Sequence, residues 1–247
     1  LFVAACQHAV HSKNIASPIP NERGEAHFEE LSPGVWSHAT YMEMERWGAV
    51  LSHGLIVVRG DHSILIDSGW TDTQTDDIMD WAEQDLGKPI AKAVFTHGHQ
   101  DKMGGVGAVR ARGIPTFAHP IANSNAPWHG LTPAETDLPF NDPGDSIEIE
   151  GLDVFFPGAA HAAGNIVIYE PDSGLLFGGC MIRPLESKSM GNIADGDLDE
   201  WPKSIMRVQD RYPETKSVLP SHSKLTAPNV LEHTKQLAIA ALLNPGD

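Results

Sequence analysis

The sequence predicts one large α/β domain, and three observations carry that prediction. A chain of 247 residues with 41% hydrophobic content is long enough to bury one substantial core. Short runs rich in branched and aromatic residues, which suit sheets, alternate with stretches of helical period. The order of strands followed by helices occurs twice, although no internal sequence repeat is detectable.

Residues 7–26 hold no sustained period and carry turn formers, so residues 1–26 read as a signal remnant and tether, with a single domain over 27–247. Residues 34–41, 54–58 and 63–67 are extended runs expected to be neighbouring strands. Ile78, Ala82 and Leu86 recur at four-residue spacing beside Trp81, which predicts a helix with Asp76, Asp77 and Asp80 towards its N-terminal end and Gly87 closing it. Residues 91–96 read as a buried strand and 104–112 as a helix stopped by Gly113. In the second half, 147–156, 165–170 and 175–178 read as strands, with Pro171-Asp172-Ser173-Gly174 turning between the last two. Asp199 is placed to cap a helix carrying Trp201, Ile205 and Val208 on one face, where Pro202 is harmless because first-turn amides lack an intrahelical partner. Pro228 opens a final helix bearing Val230, Thr234, Leu237 and Ala241.

Charge narrows the function. Against 17 basic residues stand 33 acidic ones, a formal charge of -16 that opposes an approaching polyanion, so nucleic acid is not an expected partner. Two cysteines, Cys6 and Cys180, build no disulfide framework. The opening Leu1-Phe2-Val3-Ala4-Ala5-Cys6 reads as the end of a truncated export signal, and Val-Ala-Ala-Cys resembles a bacterial lipobox whose cysteine is lipidated. An ordinary signal tail with a chance cysteine is the alternative. No other run reaches the roughly 18 apolar residues of a spanning helix.

The informative residues are His97, His99 and Asp101, then His161, Cys180 and His222, enough to hold two metal ions. Ligands at alternate positions converge only if the loop is sharply turned, and Gly98 is expected to supply that freedom. A His-X-His pair alone is weak in a chain with 13 histidines; Asp101 after it, an apolar run before it and Gly-Gly beyond it make the signal strong. His161 lies in a loop of small residues with little for an imidazole to pack against, and Cys180 and His222 each follow an expected strand. A lone buried cysteine is ordinarily a small hydrophobe; its place at a strand end after two glycines argues otherwise. His119, His129, His233 and the N-terminal histidines have no motif context and are expected to be surface or structural.

From about Phe28 onward the chain resembles the metallo-β-lactamase superfamily, and within it the di-zinc β-lactamases of the first subclass, the NDM-like and VIM-like enzymes. The resemblance rests on Leu65-Ile66-Asp67-Ser68-Gly69-Trp70, on Thr96-His97-Gly98-His99-Gln100-Asp101-Lys102-Met103-Gly104-Gly105, on Phe177-Gly178-Gly179-Cys180 and on Ser189-Met190-Gly191-Asn192. It implies an αββα sandwich with the metals at one sheet edge. It further implies a first Zn2+ on His97, His99 and His161 and a second on Asp101, Cys180 and His222. Glyoxalase II-like enzymes, lactonases and nucleases of the superfamily place a histidine directly after the motif aspartate and use a bridging aspartate near Cys180; this chain has Lys102 and Cys180 there.

The resemblance implies hydrolysis of β-lactam antibiotics in the periplasm by a monomer, with Cys6 as a lipid anchor to the outer membrane. A zinc on three neutral imidazoles lowers the pKa of bound water to about 7, giving a hydroxide nucleophile. Asp101 is expected to orient it as well as to ligate. Arg183 and Asn192 match the family positions that bind the substrate carboxylate and offer an amide donor; a solvated surface charge and a turn residue are their bland readings. Met42, Met44 and Trp47 match a hairpin flap giving adaptable apolar contacts, or else an ordinary hairpin packing them inward. Asp67 matches an aspartate beneath the metals that fixes ligand geometry. Ser221, where many relatives have glycine, is expected to bear on His222. A lactone or thioester hydrolase and a non-catalytic zinc protein are the competing readings; the latter expects four protein ligands per zinc, not three.

Overall fold

Two β-sheets face each other with helices on both outer sides in the computed structural model, which describes residues 26–243. Cys6 and the tether before Ala26 lie outside the described residues. The first sheet runs in sequence order: β1 (His27–Ser32), β2 (Val35–Met44), β3 (Gly48–Arg59), β4 (His62–Ile66), β5 (Ile90–Phe95), β6 (Thr116–Ala118) and β7 (Thr136–Asp137). Its first four strands pair antiparallel and β4 to β7 pair parallel. The second sheet has the order β12-β11-β10-β9-β8, from β8 (Ser146–Ile149), β9 (Leu152–Phe155), β10 (Val167–Glu170), β11 (Leu175–Gly179) and β12 (Ser217–Pro220). Only the β11–β12 pair in it is parallel. The helices are α1 (Asp72–Gln84), α2 (Gln100–Met103), α3 (Val106–Ala111), α4 (Pro120–Asn125), α5 (Trp201–Arg211) and α6 (Asn229–Leu243).

Side chains alternate across a strand, so each sheet feeds two cores. Ile64 and Ile66 meet Val154, Ile168, Leu175 and Phe177 between the sheets. Leu65, between them in sequence, packs outward with Ile78, Ala82 and Val106 of the helical layer. On the far side Val167 and Leu176 pack against Trp201, Ile205 and Val230. Each such apolar side chain contributes about 1.5–3 kcal/mol on burial. The expected αββα sandwich is therefore present, built from three apolar layers.

Local structure differs from expectation in five places. Residues 147–156 form a hairpin instead of one strand, because Glu150 (φ 48°) and Gly151 (φ 81°) turn between Ile149 and its partner Leu152; two successive left-handed residues make the turn type that suits hairpins. The helix expected over 104–112 is α3, which begins only at Val106 and is preceded by a separate short α2, with Gly104 packed on the Trp70 carbonyl and Gly105 on the Thr75 side chain between them. α1 is capped by Thr71, whose hydroxyl accepts from the Gln74 amide at 3.2 Å, whereas Asp76 and Asp80 lie inside the helix and bind Arg112. At α5 it is Asp197, not Asp199, whose carboxylate accepts from the Glu200 amide. The strands β2 and β3 also run well past the expected ends and form a long ribbon from Val35 to Arg59.

Candidate metal centre

The six residues singled out by the motifs come from four loops at one end of the sandwich. His97, His99 and Asp101 follow β5, His161 lies between β9 and β10, Cys180 follows β11 and His222 follows β12. Gly98 serves here by close approach: a Cβ on it would sit 2.8 Å from the Ala122 carbonyl oxygen, and its φ is not left-handed. The turn expected of it is made by α2, which places Asp101 one helical step beyond His99.

Nδ1 of His99 lies 3.1 Å from Nε2 of His97 and 3.1 Å from Nε2 of His161. Sγ of Cys180 lies 3.1 Å from Oδ2 of Asp101 and 3.4 Å from Nε2 of His222, which is 3.8 Å from that Asp101 oxygen. Tetrahedral zinc with bonds of about 2.0–2.3 Å holds its donors roughly 3.3–3.6 Å apart. The donor distances given above, 3.1 to 3.8 Å, lie close to that spacing, and the donor chemistry is that of zinc, so the residues fit two zinc ions. Nε2 of His97 stands 3.9 Å from Oδ1 of Asp101, which sets the triads side by side.

Each ring is aimed by its other nitrogen or by its loop. Nδ1 of His222 donates to the Leu51 carbonyl at 2.6 Å, leaving Nε2 unprotonated towards Cys180. Nε2 of His99 donates to Oδ2 of Asp195 at 2.9 Å, leaving Nδ1 for the first triad. The loop of His161 is pinned by the Asn165 side chain, which accepts from the Ala162 amide at 2.8 Å, and Trp201 stands edge-on to its ring. Asp67 accepts from the Thr96 amide at 2.7 Å and from its hydroxyl at 2.9 Å, so it fixes the residue before His97. Ser221 turns its hydroxyl towards Cys180 and Ser52, not towards His222.

Asp67 has the basic neighbour that its sequence surroundings lack. Nζ of Lys102, wholly buried, lies 3.5 Å from Oδ2 of Asp67 and 3.5 Å from Oδ2 of Asp101, and donates to Ser52 Oγ at 2.8 Å and the His53 carbonyl at 2.7 Å. The Ser52 hydroxyl lies 3.0 Å from the Asp101 carbonyl oxygen, closing the cluster. Burial opposes the charge on Asp101, but Lys102, His97 and His222 outweigh it and hold the carboxyl well below its usual range. Burial also opposes the charge on Lys102, and Asp67 and Asp101 reverse that. Burial pushes Asp67 up to about 6 against the pull of Lys102.

Burial, reinforced by His99, drives His97 well below the imidazole range and His161 to about 3, so both offer lone pairs at neutral pH. Burial and Asp101 push the Cys180 thiol well up, and a metal cation in the triad is what reverses this for a coordinating thiol.

The triads floor a cleft of about 610 Å³. Arg183, Asn192, Met44 and Trp47 line it, as does Trp70, while Met42, on the same ribbon face as Met44, does not. Arg183 is half-buried, not a solvated charge; its Nε has no hydrogen-bond partner among the described residues and its Nη2 lies 3.4 Å from Ser187 Oγ. Burial lowers its pKa. Oδ1 of Asn192 accepts from the Ala194 amide at 3.2 Å. Asp195 and His129 also line the cleft, though neither belongs to the motifs that announce the site. Asp195 follows Asn192 by three residues, which was the available signal; His129, expected at the surface, is brought to the cleft by a 3-10 turn at Ala126–His129.

Comparison with known proteins agrees with this geometry. The family model of the metallo-beta-lactamase superfamily matches residues 47–222. The chain is 32% identical over 217 residues to a metallo-beta-lactamase type 2 of Bacteroides fragilis, covering 84% of this chain and 83% of that one. Among solved structures, the metallo-beta-lactamase FIM-1 of Pseudomonas aeruginosa in its mono-zinc form is 46% identical with a TM-score of 0.85, over 88% of this chain and 96% of that one. The metallo-beta-lactamase of Hirschia baltica is 41% identical, also with a TM-score of 0.85, over 87% of this chain and 98% of that one. With its two donor triads at one end of an αββα sandwich, the chain belongs to the metallo-β-lactamase superfamily.

Proposed function

We propose that this protein is a di-zinc β-lactamase that opens the amide bond of penicillins, cephalosporins and carbapenems and so confers resistance. The observation that carries this reading is the pair of three-donor triads on the floor of a cleft of about 610 Å³, a size suited to a small drug. Three protein donors per ion leave coordination positions open to the cleft, which favours catalysis over a structural role.

Zinc in these triads would supply a Lewis acid for the carbonyl and a water acidic enough to be deprotonated at neutral pH. The chain's own residues do the rest. Asp101 stays ionised between Lys102 and the histidines, so it accepts a hydrogen bond from the attacking water and fixes its lone pair. Arg183, with donors left over, binds the carboxylate beside the scissile nitrogen. Because Oδ1 of Asn192 is engaged by the Ala194 amide, its amide nitrogen is left to donate to the oxygen that gains charge. Met44 and Trp47, 38% and 53% exposed, cover apolar substituents from the ribbon tip.

The lactone or thioester alternative gains nothing from the site: Lys102, at the position of a ligand histidine in those relatives, packs behind the donors and offers no lone pair. All six donors come from one chain, which supports action as a monomer. Periplasmic export, with a lipid on Cys6, is supported by the Val3-Ala4-Ala5-Cys6 run.

The test is hydrolysis of a chromogenic cephalosporin and of a carbapenem by purified zinc-loaded protein, with and without chelator, together with zinc analysis. Turnover of both that chelator abolishes, with two zinc ions per chain and one in Cys180→Ser, is the expected result. A zinc-replete protein that turns over neither compound overturns the proposal and moves the assignment to a lactone or thioester.

A further inference from the structure

Besides its donors, the cleft is lined by one arginine, Arg183, and one exposed carboxylate, Asp195. Arg183 bears on both triads, its charge felt by Cys180 and His222 in the second and by His161 in the first. Asp195 lies against His99, in the first triad, and its side chain is 46% exposed. Its Oδ2 receives the His99 Nε2 hydrogen bond, with Nε2 of His129 3.9 Å away. Its Oδ1 makes no hydrogen bond among the described residues. The His129 ring stands edge-on to His99 at 88°, with centroids 5.1 Å apart, and walls the carboxylate on that side. His129 and Asp195 both line the cleft.

A β-lactam has a matching asymmetry, on the reading that this cleft binds one. Its carboxylate is attached next to the ring nitrogen, and its acyl side chain next to the ring carbonyl, so the two project from opposite ends of the scissile bond. With the carboxylate on Arg183 and the carbonyl over the histidine triad, the acyl side chain extends past His99 towards Asp195 and His129. We propose that Asp195 and His129 form an acyl-side subsite that selects β-lactams whose side chain carries an ammonium or another strong N–H donor. The unused Asp195 oxygen accepts that donor, and the His129 ring takes the flanking apolar part.

Benzylpenicillin and its α-amino derivative ampicillin test this directly, because they share every atom of the core and differ at one ammonium. The reading is the ratio of kcat/KM for ampicillin to that for benzylpenicillin, in wild type, in Asp195→Asn and in His129→Glu. Loss of orientation at His99 affects both substrates alike and cancels in the ratio. Asp195→Asn is expected to lower the ratio by roughly 1.5- to 5-fold, the range of an exposed ion pair, and His129→Glu, which adds a carboxylate, to raise it. The change should reside in KM, because the ammonium is remote from the reacting atoms, and should fade at about 1 M salt, where screening acts within 3 Å. An unchanged ratio in Asp195→Asn, with both penicillins hydrolysed, overturns the subsite while leaving the β-lactamase reading intact. Hydrolysis of neither by zinc-loaded wild type overturns that reading and the subsite with it.

Discussion

The two donor triads face one cleft but rest on different foundations. Behind Asp101, Cys180 and His222 lies a buried polar block, with Lys102, Ser52, Ser221 and Asp67 each no more than 2% exposed. Behind His97, His99 and His161, Asp67 reaches His97 only through Thr96, and the direct support of His99 is Asp195, nearly half exposed. The difference follows from donor charge. Neutral imidazoles need only an acceptor to set their tautomer, and that acceptor works well in water. A carboxylate and a thiolate taken out of water need a counter-charge inside the protein, and the counter-charge must itself be fully hydrogen-bonded.

Substitutions behind each triad would break or sharpen this contrast. The largest effect is expected from Lys102→Met, which fills the space but leaves Asp67 and Asp101 buried without their cation. Breaking a buried pair costs about 3–5 kcal/mol, which for a domain of this size is roughly 10 °C in Tm. Thermal melting of the zinc-free protein checks it, and a loss under 1 kcal/mol would mean that Lys102 is not the counter-charge.

Acid comes next. His38 and His53 sit in the same buried block and are driven down, chiefly by burial and then with the charge of Lys102 contributing, to about 4 and about 3. Between pH 6.5 and 4 the unfolded chain therefore binds protons that the folded chain refuses, so stability rises with pH through that window and levels above it. For His38 alone the fall to pH 4 is roughly 3 kcal/mol, at 1.36 kcal/mol per pKa unit. Denaturant midpoints of zinc-free wild type and His38→Gln across this range should diverge, with the variant losing less stability on acidification. Parallel curves would place the acid sensitivity elsewhere.

The smallest effect is expected outside. Asp195→Ala should cost roughly 10- to 100-fold in zinc affinity at the first triad only, read by chelator competition, while stability moves by about 0.5 kcal/mol or less because the residue is half in water. Equal weakening of both zinc ions would erase the distinction between the two supports.

The same contrast governs what could be read without coordinates. The first cluster is nearly local: His97, His99 and Asp101 span five residues between an apolar run and a glycine pair, and their chemistry is visible in a line of text. His161, Cys180 and His222 are legible only as residues at strand ends, and their meeting depends on two sheets closing on each other. Lys102 is adjacent to Asp101 in the chain, yet its role as the partner of Asp67, 35 residues away, is a tertiary fact. His129 was hidden for another reason: α4 and the short turn after it lack the periodic apolar pattern that announces an element. The missed hairpin at Glu150 and Gly151 is a case of turn chemistry, where one glycine in an apolar run was the sole warning.

The β2–β3 ribbon touches both chemistry and substrate. Near its tip, Met44 and Trp47 line the cleft; further down, on β3, the Leu51 carbonyl holds His222 and Ser52 meets Asp101. Residues Tyr41 and Leu51 face each other across the two strands, and only 42–50 lie beyond that rung. The ribbon is thus a cantilever clamped at Leu51 by the metal ligand itself. Bending confined to its free end reshapes the roof over the drug without disturbing the clamp, which lets one stretch of chain be adaptable to many substituents and rigid towards the reacting atoms.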